Sequence, residues 1–233
     1  MAIRNITGPR LPAARGKATH LVVLCHGYGA DGNDLIGLAP HWQRLLPTVA
    51  FVAPNASERV PGAPSGYQWF PIQRLDPSEM QRGVESASET LNAFVDAELQ
   101  RMELPPERLA LVGFSQGTMM SLAVGLKRAV KPACIVGYSG MLARGSALEA
   151  LPPDTPPILL VHGDADQMIP ADAMLQTMTM LGRAGAAVQW HISPGVGHGI
   201  DPTGLEMGGA FIAQAFRGLL TRRTPEVCCP LKA

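Results

Sequence analysis

The stretch Leu109-Ala110-Leu111-Val112-Gly113-Phe114-Ser115-Gln116-Gly117-Thr118-Met119-Met120-Ser121-Leu122-Ala123-Val124 decides how the chain is read. Four consecutive apolar residues predict a strand buried on both faces, and the longer apolar run after Gly117 predicts a helix. Gly113 to Gly117 must then turn the chain between them. These five residues fit G-x-S-x-G, a pattern in which a sharp turn lifts the serine hydroxyl above the sheet edge. Flanking glycines let strand and helix approach without Cβ clashes. Leu109 to Leu126 is uncharged throughout, but Ser115, Gln116, Thr118, Ser121 and three glycines interrupt it. A buried strand followed by a helix is expected there rather than a membrane span.

The same alternation extends outward. Candidate strands are His20–Cys25, Val49–Ala53, Leu109–Gly113, Cys134–Tyr138, Ile158–Val161 and Val188–Ile192. Candidate helices are Asp34–Leu46, Ser78–Arg101, Gly117–Ala129, Ala171–Ala184 and Gly204–Leu220. Strands separated by helices predict an α/β fold with a mainly parallel central sheet and helices on both faces. Pro54 to Pro77 shows neither helical nor strand period and carries Tyr67, Trp69 and Phe70. A loop this long is either a surface segment tacked down by its aromatics or a wall of an apolar substrate pocket.

Composition narrows the classes. The 233 residues fit one domain over 1–233, with 221–233 as a poorly ordered tail. Lys plus Arg and Asp plus Glu both number 19, so the formal charge is zero and no nucleic-acid or anionic-membrane partner is expected. A second copy of the chain, as a homodimer, is compatible with the sequence. The N-terminal residues lack the apolar run of a signal peptide, which predicts a cytoplasmic protein. Cys25 and Cys134 sit in apolar runs and Cys228 and Cys229 in the tail, without disulfide or zinc-ligand spacing. No metal and no cofactor are expected.

A serine hydroxyl is a weak nucleophile that needs a base, and the base needs a carboxylate to orient it. Behind an elbow of this kind the order is Ser, acid, His. His191 falls inside a candidate strand and His162 directly follows one. His198 lies in the Gly-rich loop Pro194-Gly195-Val196-Gly197-His198-Gly199, free to hang over a site, and is the expected base. Asp164 and Asp166 both follow the Ile158–Val161 strand, and spacing does not separate them as the acid. The oxyanion of a tetrahedral intermediate needs donors. One is the N–H of Gln116, directly after the nucleophile. The other is expected from the loop His26-Gly27-Tyr28-Gly29, with Tyr28 N–H as donor and His26 shaping the turn.

These residues resemble the phospholipase/carboxylesterase family of small α/β-hydrolases, which includes carboxylesterases and acyl-protein thioesterases. The resemblance runs from about His20 to Leu220. It rests on Leu24-Cys25-His26-Gly27-Tyr28-Gly29, Trp69-Phe70, Gly113-Phe114-Ser115-Gln116-Gly117, Tyr138-Ser139-Gly140, His162-Gly163-Asp164-Ala165-Asp166 with Ile169-Pro170, and Gly197-His198. It implies Asp166 as the acid, Tyr28 and Gln116 as oxyanion donors, and Trp69 and Phe70 near the acyl site as substrate-binding residues. Pro71 stands where members often carry an acidic residue, and Tyr28 where they commonly carry Leu. The expected function is hydrolysis of short- to medium-chain carboxylic esters, a small-molecule or lipid-like acyl substrate, through an acyl-enzyme on Ser115. An acyl-protein thioesterase or lysophospholipase would use the same triad. A non-catalytic binding module is the rival from another class.

Overall fold

A computed structural model describes residues 3–72, 76–143 and 148–222. The tail cysteines Cys228 and Cys229, and all of the expected tail except residues 221 and 222, lie outside them.

The main sheet has seven strands: β1 (Arg10–Leu11), β2 (His20–Cys25), β3 (Val49–Val52), β6 (Leu109–Phe114), β7 (Cys134–Tyr138), β8 (Ile158–Gly163) and β9 (Val188–Ser193), in the order β1-β3-β2-β6-β7-β8-β9. Only β1 runs antiparallel, against β3. The others form the expected parallel sheet, with β2 and β6 side by side at its centre. β1 was not expected, because two residues between Pro9 and Pro12 carry no readable period.

Alternation along β2 divides the core. Leu21, Val23 and Cys25 pack with Leu111 against α3 (Pro77–Arg101) and α4 (Gln116–Lys127). Val22 and Leu24 face the other way, with Val112, Tyr138 and α6 (Pro202–Phe216). Helix α5 (Ala171–Arg183) covers β8 and β9 through Met174 and Leu181. Every parallel connection thus brings the carboxyl ends of β2, β6, β7, β8 and β9 to one edge, where loops converge.

Three expectations change. The helix expected over Asp34–Leu46 is two short ones, α1 (Gly32–Ile36) and α2 (Ala39–Gln43). Pro40 has no N–H to continue α1 and instead occupies the first turn of α2. The last helix stops at Phe216, not Leu220, because Gly218 enters the left-handed region at φ 69° and Leu219 N–H closes on Gln214 O at 3.0 Å. The long connection over 54–77 is not structureless. It holds an antiparallel hairpin of β4 (Glu58–Arg59) and β5 (Tyr67–Gln68), too short to be read from period.

Candidate active site

Ser115 stands between the end of β6 and the start of α4 with φ 55° and ψ −117°, a backbone position that a non-glycine residue keeps only when its surroundings hold it. Its N–H donates to Tyr138 O at 2.9 Å. A Cβ on Gly117 would sit 1.9 Å from Cys25 O, and one on Gly113 2.2 Å from Gly117 O, so both flanking glycines are required by backbone approach. The elbow is thereby pressed against the end of β2. The loop that follows β2 passes directly beside Ser115, since a Cβ on Gly27 would lie 3.2 Å from Ser115 Cβ.

The Tyr28 loop runs from Cys25 to the capping residue Asp31, whose carboxylate accepts the Asn33 and Asp34 N–H groups and starts α1. Gly29 turns it at φ 80°. His26 is fully buried: its Nε2 accepts Ala56 N–H at 2.9 Å and its Nδ1 donates to Gly27 O at 2.7 Å. Both ring nitrogens thus serve the main chain, and burial lowers its pKa. Gln116 opens α4, where the first N–H groups of a helix have no intrahelical acceptor.

The expected acid and base come from two further strand ends. Asp166 follows β8 with its carboxylate fully buried, and its Oδ2 lies 2.7 Å from His198 Nδ1. Its Oδ1 accepts Met168 N–H at 2.9 Å and Ile169 N–H at 3.0 Å. Burial pushes this carboxyl up, but the bonds from His198 and the two N–H groups outweigh it and hold the pKa below the ordinary value. His162 Nε2 donates to Ile169 O at 2.8 Å and lies 3.1 Å from Asp166 Oδ2, so it supports the acid rather than acting as a base. Asp164, the other candidate acid, points away. Its Oδ1 accepts Gly195 N–H at 2.6 Å and pins one end of the His198 loop. The other end is held by Ser139 Oγ, which donates to Gly199 O at 3.0 Å. His191 lies within β9, away from the strand ends.

His198 lies against the residue before Ser115. The ring of Phe114, the residue before Ser115, packs 5.0 Å from the His198 ring between centroids. Trp69 and Phe70 lie beneath this edge, each 2 % exposed and part of the core. The Trp69 indole donates to His26 O at 2.9 Å, and Phe70 packs so closely on α3 that a Cβ on Gly83 would lie 2.4 Å from its ring. Three supporting groups were not singled out from the sequence: the Gln116 side chain, the Ser139 hydroxyl and the Asp164 clamp. The quoted motifs contain all three, but a motif does not show where a polar side chain points.

Cys25 stands on the strand leading to the oxyanion loop, yet burial pushes its thiol up to about 12, so it holds no thiolate for catalysis. Among the described residues no group of three His, Cys, Asp or Glu is placed to hold a metal ion. No helix among them is long and apolar enough to cross a membrane.

The chain is similar to known proteins over most of its length. Acyl-protein thioesterase 1 of Gibberella zeae is 28% identical over 227 residues, covering 88% of this chain and 94% of that protein. A probable carboxylesterase of Oryza sativa subsp. japonica is 31% identical, covering 86% of this chain and 79% of that protein. The crystal structure of esterase PE8 superposes with a TM-score of 0.85 at 40% identity, covering 93% of this chain and 100% of that one. A carboxylesterase from Mesorhizobium loti, at 22% identity and a TM-score of 0.73, over 89% of this chain and 94% of its own, shares the fold. The family model described as phospholipase/carboxylesterase matches residues 7–215, and the chain belongs to that family.

Proposed function

We propose that this ester-hydrolysing enzyme works through an acyl-enzyme on Ser115. His198 takes the hydroxyl proton as Ser115 attacks the ester carbonyl, then returns it to the leaving alcohol. Water, deprotonated by the same imidazole, cleaves the acyl-enzyme. Asp166 fixes the ring so that Nδ1 carries the proton and Nε2 is the base, and its charge stabilises the imidazolium that forms. The N–H groups of Gln116 and Tyr28 receive the oxyanion, each such donor typically contributing about 10²–10³ in rate. The observation that carries this reading is the bond of 2.7 Å from His198 to the buried Asp166 carboxylate, on the same sheet edge as the strained Ser115.

The substrates are short- to medium-chain carboxylic esters, and the enzyme acts in the cytoplasm. The zero formal charge of the chain agrees with an uncharged acyl substrate. Thioester hydrolysis is the second reading, favoured by the likeness to acyl-protein thioesterase 1. A series of p-nitrophenyl esters of rising chain length, set beside matched thioesters with Ser115→Ala as blank, decides between them. The first reading expects kcat/KM to peak at a short or medium oxygen ester. A peak at long-chain thioesters would reverse it.

A further inference from the structure

Gln116 is 1 % exposed, and both ends of its amide are engaged far from its own helix. Oε1 accepts Trp69 N–H at 2.9 Å and Nε2 donates to Phe70 O at 2.8 Å. The partners admit only this orientation of the amide, because one is an N–H and the other a carbonyl. The side chain therefore grips the main chain of two consecutive residues, on either side of the peptide that joins them.

The segment it grips is bonded in turn to the loop that carries Tyr28. Trp69 Nε1 donates to His26 O at 2.9 Å, on one side of Tyr28. On the other side, Gly29 N–H donates to Tyr67 O at 2.9 Å and Tyr67 N–H to Ala30 O at 2.8 Å. Gly66 lies so close beneath that a Cβ there would be 2.1 Å from Gly29 O. Residues 66–70 thus form a strap, fastened to the Tyr28 loop before and after Tyr28 and to the nucleophile elbow through Gln116.

We propose that the Gln116 side chain is a positioning residue that registers the two oxyanion donors, its own N–H and that of Tyr28, to each other through the Trp69–Phe70 strap. This rests on the reading of Ser115 and its two donors given above. Donors on separate loops stabilise an oxyanion only if both are aimed at one point, and displacement by about 1 Å costs on the order of 100-fold. The strap supplies a rigid link between the loops, and Trp69 acts as its peg.

The test uses Gln116→Met, which keeps the main-chain N–H and approximate shape but loses both bonds, and Gln116→Glu, which keeps the acceptor for Trp69 N–H but puts a carboxyl in place of the amide donor to Phe70 O. Trp69→Phe, which loses the indole donor and part of the ring, leaves the side-chain bonds of Gln116 in place and decides the matter if the Gln116 variants do not fold. Each is measured for kcat and KM on a p-nitrophenyl ester. Each is also measured for binding of a trifluoromethyl ketone, whose adduct with Ser115 bears the oxyanion, and of the matching alcohol, which bears none. We expect kcat to fall about 10- to 100-fold with KM within about twofold, ketone binding to weaken in step, and alcohol binding to stay unchanged. In the double variant Gln116→Met/Trp69→Phe the losses should fall short of multiplying, because both break one link. A rise in KM with kcat intact, equal weakening of ketone and alcohol, or losses that multiply would overturn the proposal. Ser115→Ala, which must abolish the preference for ketone over alcohol, tests the underlying site separately.

Discussion

His198 Nδ1 lies 2.7 Å from Asp166 Oδ2, while the other oxygen of that carboxylate is occupied by the N–H groups of Met168 and Ile169. Oδ2 is therefore left facing the imidazole, and the carboxylate cannot rotate without breaking both main-chain bonds. Asp166→Asn replaces an acceptor with a group that can present an N–H to Nδ1 and select the wrong tautomer. It should lower kcat by about 10³–10⁴-fold, whereas Asp164→Asn, which retains an acceptor for Gly195 N–H, should stay within about tenfold. Steady-state kinetics of the two variants side by side check this; comparable losses would return the assignment to open ground.

Because His198 must be neutral to accept the Ser115 proton, kcat/KM should fall on acidification along a limb of one proton. A pH–rate profile checks it, and a rate that stayed flat down to about pH 4 would remove His198 from the mechanism.

Stability should also fall on the acid side. His20 Nε2 lies 2.8 Å from Arg108 Nη1, and burial together with that charge lowers its pKa from 6.5 to about 4. The unfolded chain then binds this proton more readily than the folded one, so its stabilising contribution is whole above about 6.5 and is lost as pH falls toward about 4. Asp166 and Glu98, both held below their ordinary values, lose theirs at still lower pH as they protonate. Thermal melts at about pH 7.5 and about pH 5 should show a smaller drop for His20→Gln than for the parent. Equal drops would contradict this.

Glu98 ties the edge strand β1 to α3. Its carboxylate, 5% exposed, accepts from Arg10 Nε at 3.1 and 3.2 Å and from Arg101 Nη2 at 2.8 Å. Both arginines reach water, so Glu98→Gln leaves no fully buried orphan charge, and the expected cost is about 1–3 kcal/mol. Denaturant melts measure it, and activity of the folded fraction should be retained.

The elbow carries strain that glycine would not. Ser115→Gly should abolish turnover while raising stability by about 1–3 kcal/mol, since φ 55° costs glycine little. Gly117→Ala should do the reverse of stabilising, because its Cβ would meet Cys25 O at 1.9 Å on a central strand. Melts of both variants give the two signs.

Much of this was legible in the residues. The Val, Leu and Ile runs of β2, β3, β6, β7 and β8 mark strands buried on both faces, and these strands fix which loops share an edge. Ser115 and His198 follow from chain order on that edge. The choice between Asp164 and Asp166 did not follow from spacing, since both occupy the same loop and only its turn decides which carboxylate is buried. The resemblance implied Asp166; the geometry pairs Asp166 with His198 and Asp164 with Gly195 N–H. The β4–β5 hairpin and the break at Pro40 stayed hidden because elements of two to five residues show no period. The roles of Gln116 and Ser139 stayed hidden for another reason: each depends on a main-chain partner more than 40 residues away.

The central claim is a covalent acyl group on Ser115. Acid quenching during turnover of a p-nitrophenyl ester, followed by peptide mass analysis, tests it most directly. The account predicts one acyl adduct, confined to Ser115, formed in a burst that matches the enzyme concentration and is absent from Ser115→Ala. Turnover at the parent rate by Ser115→Ala, or an adduct on another residue, would contradict it.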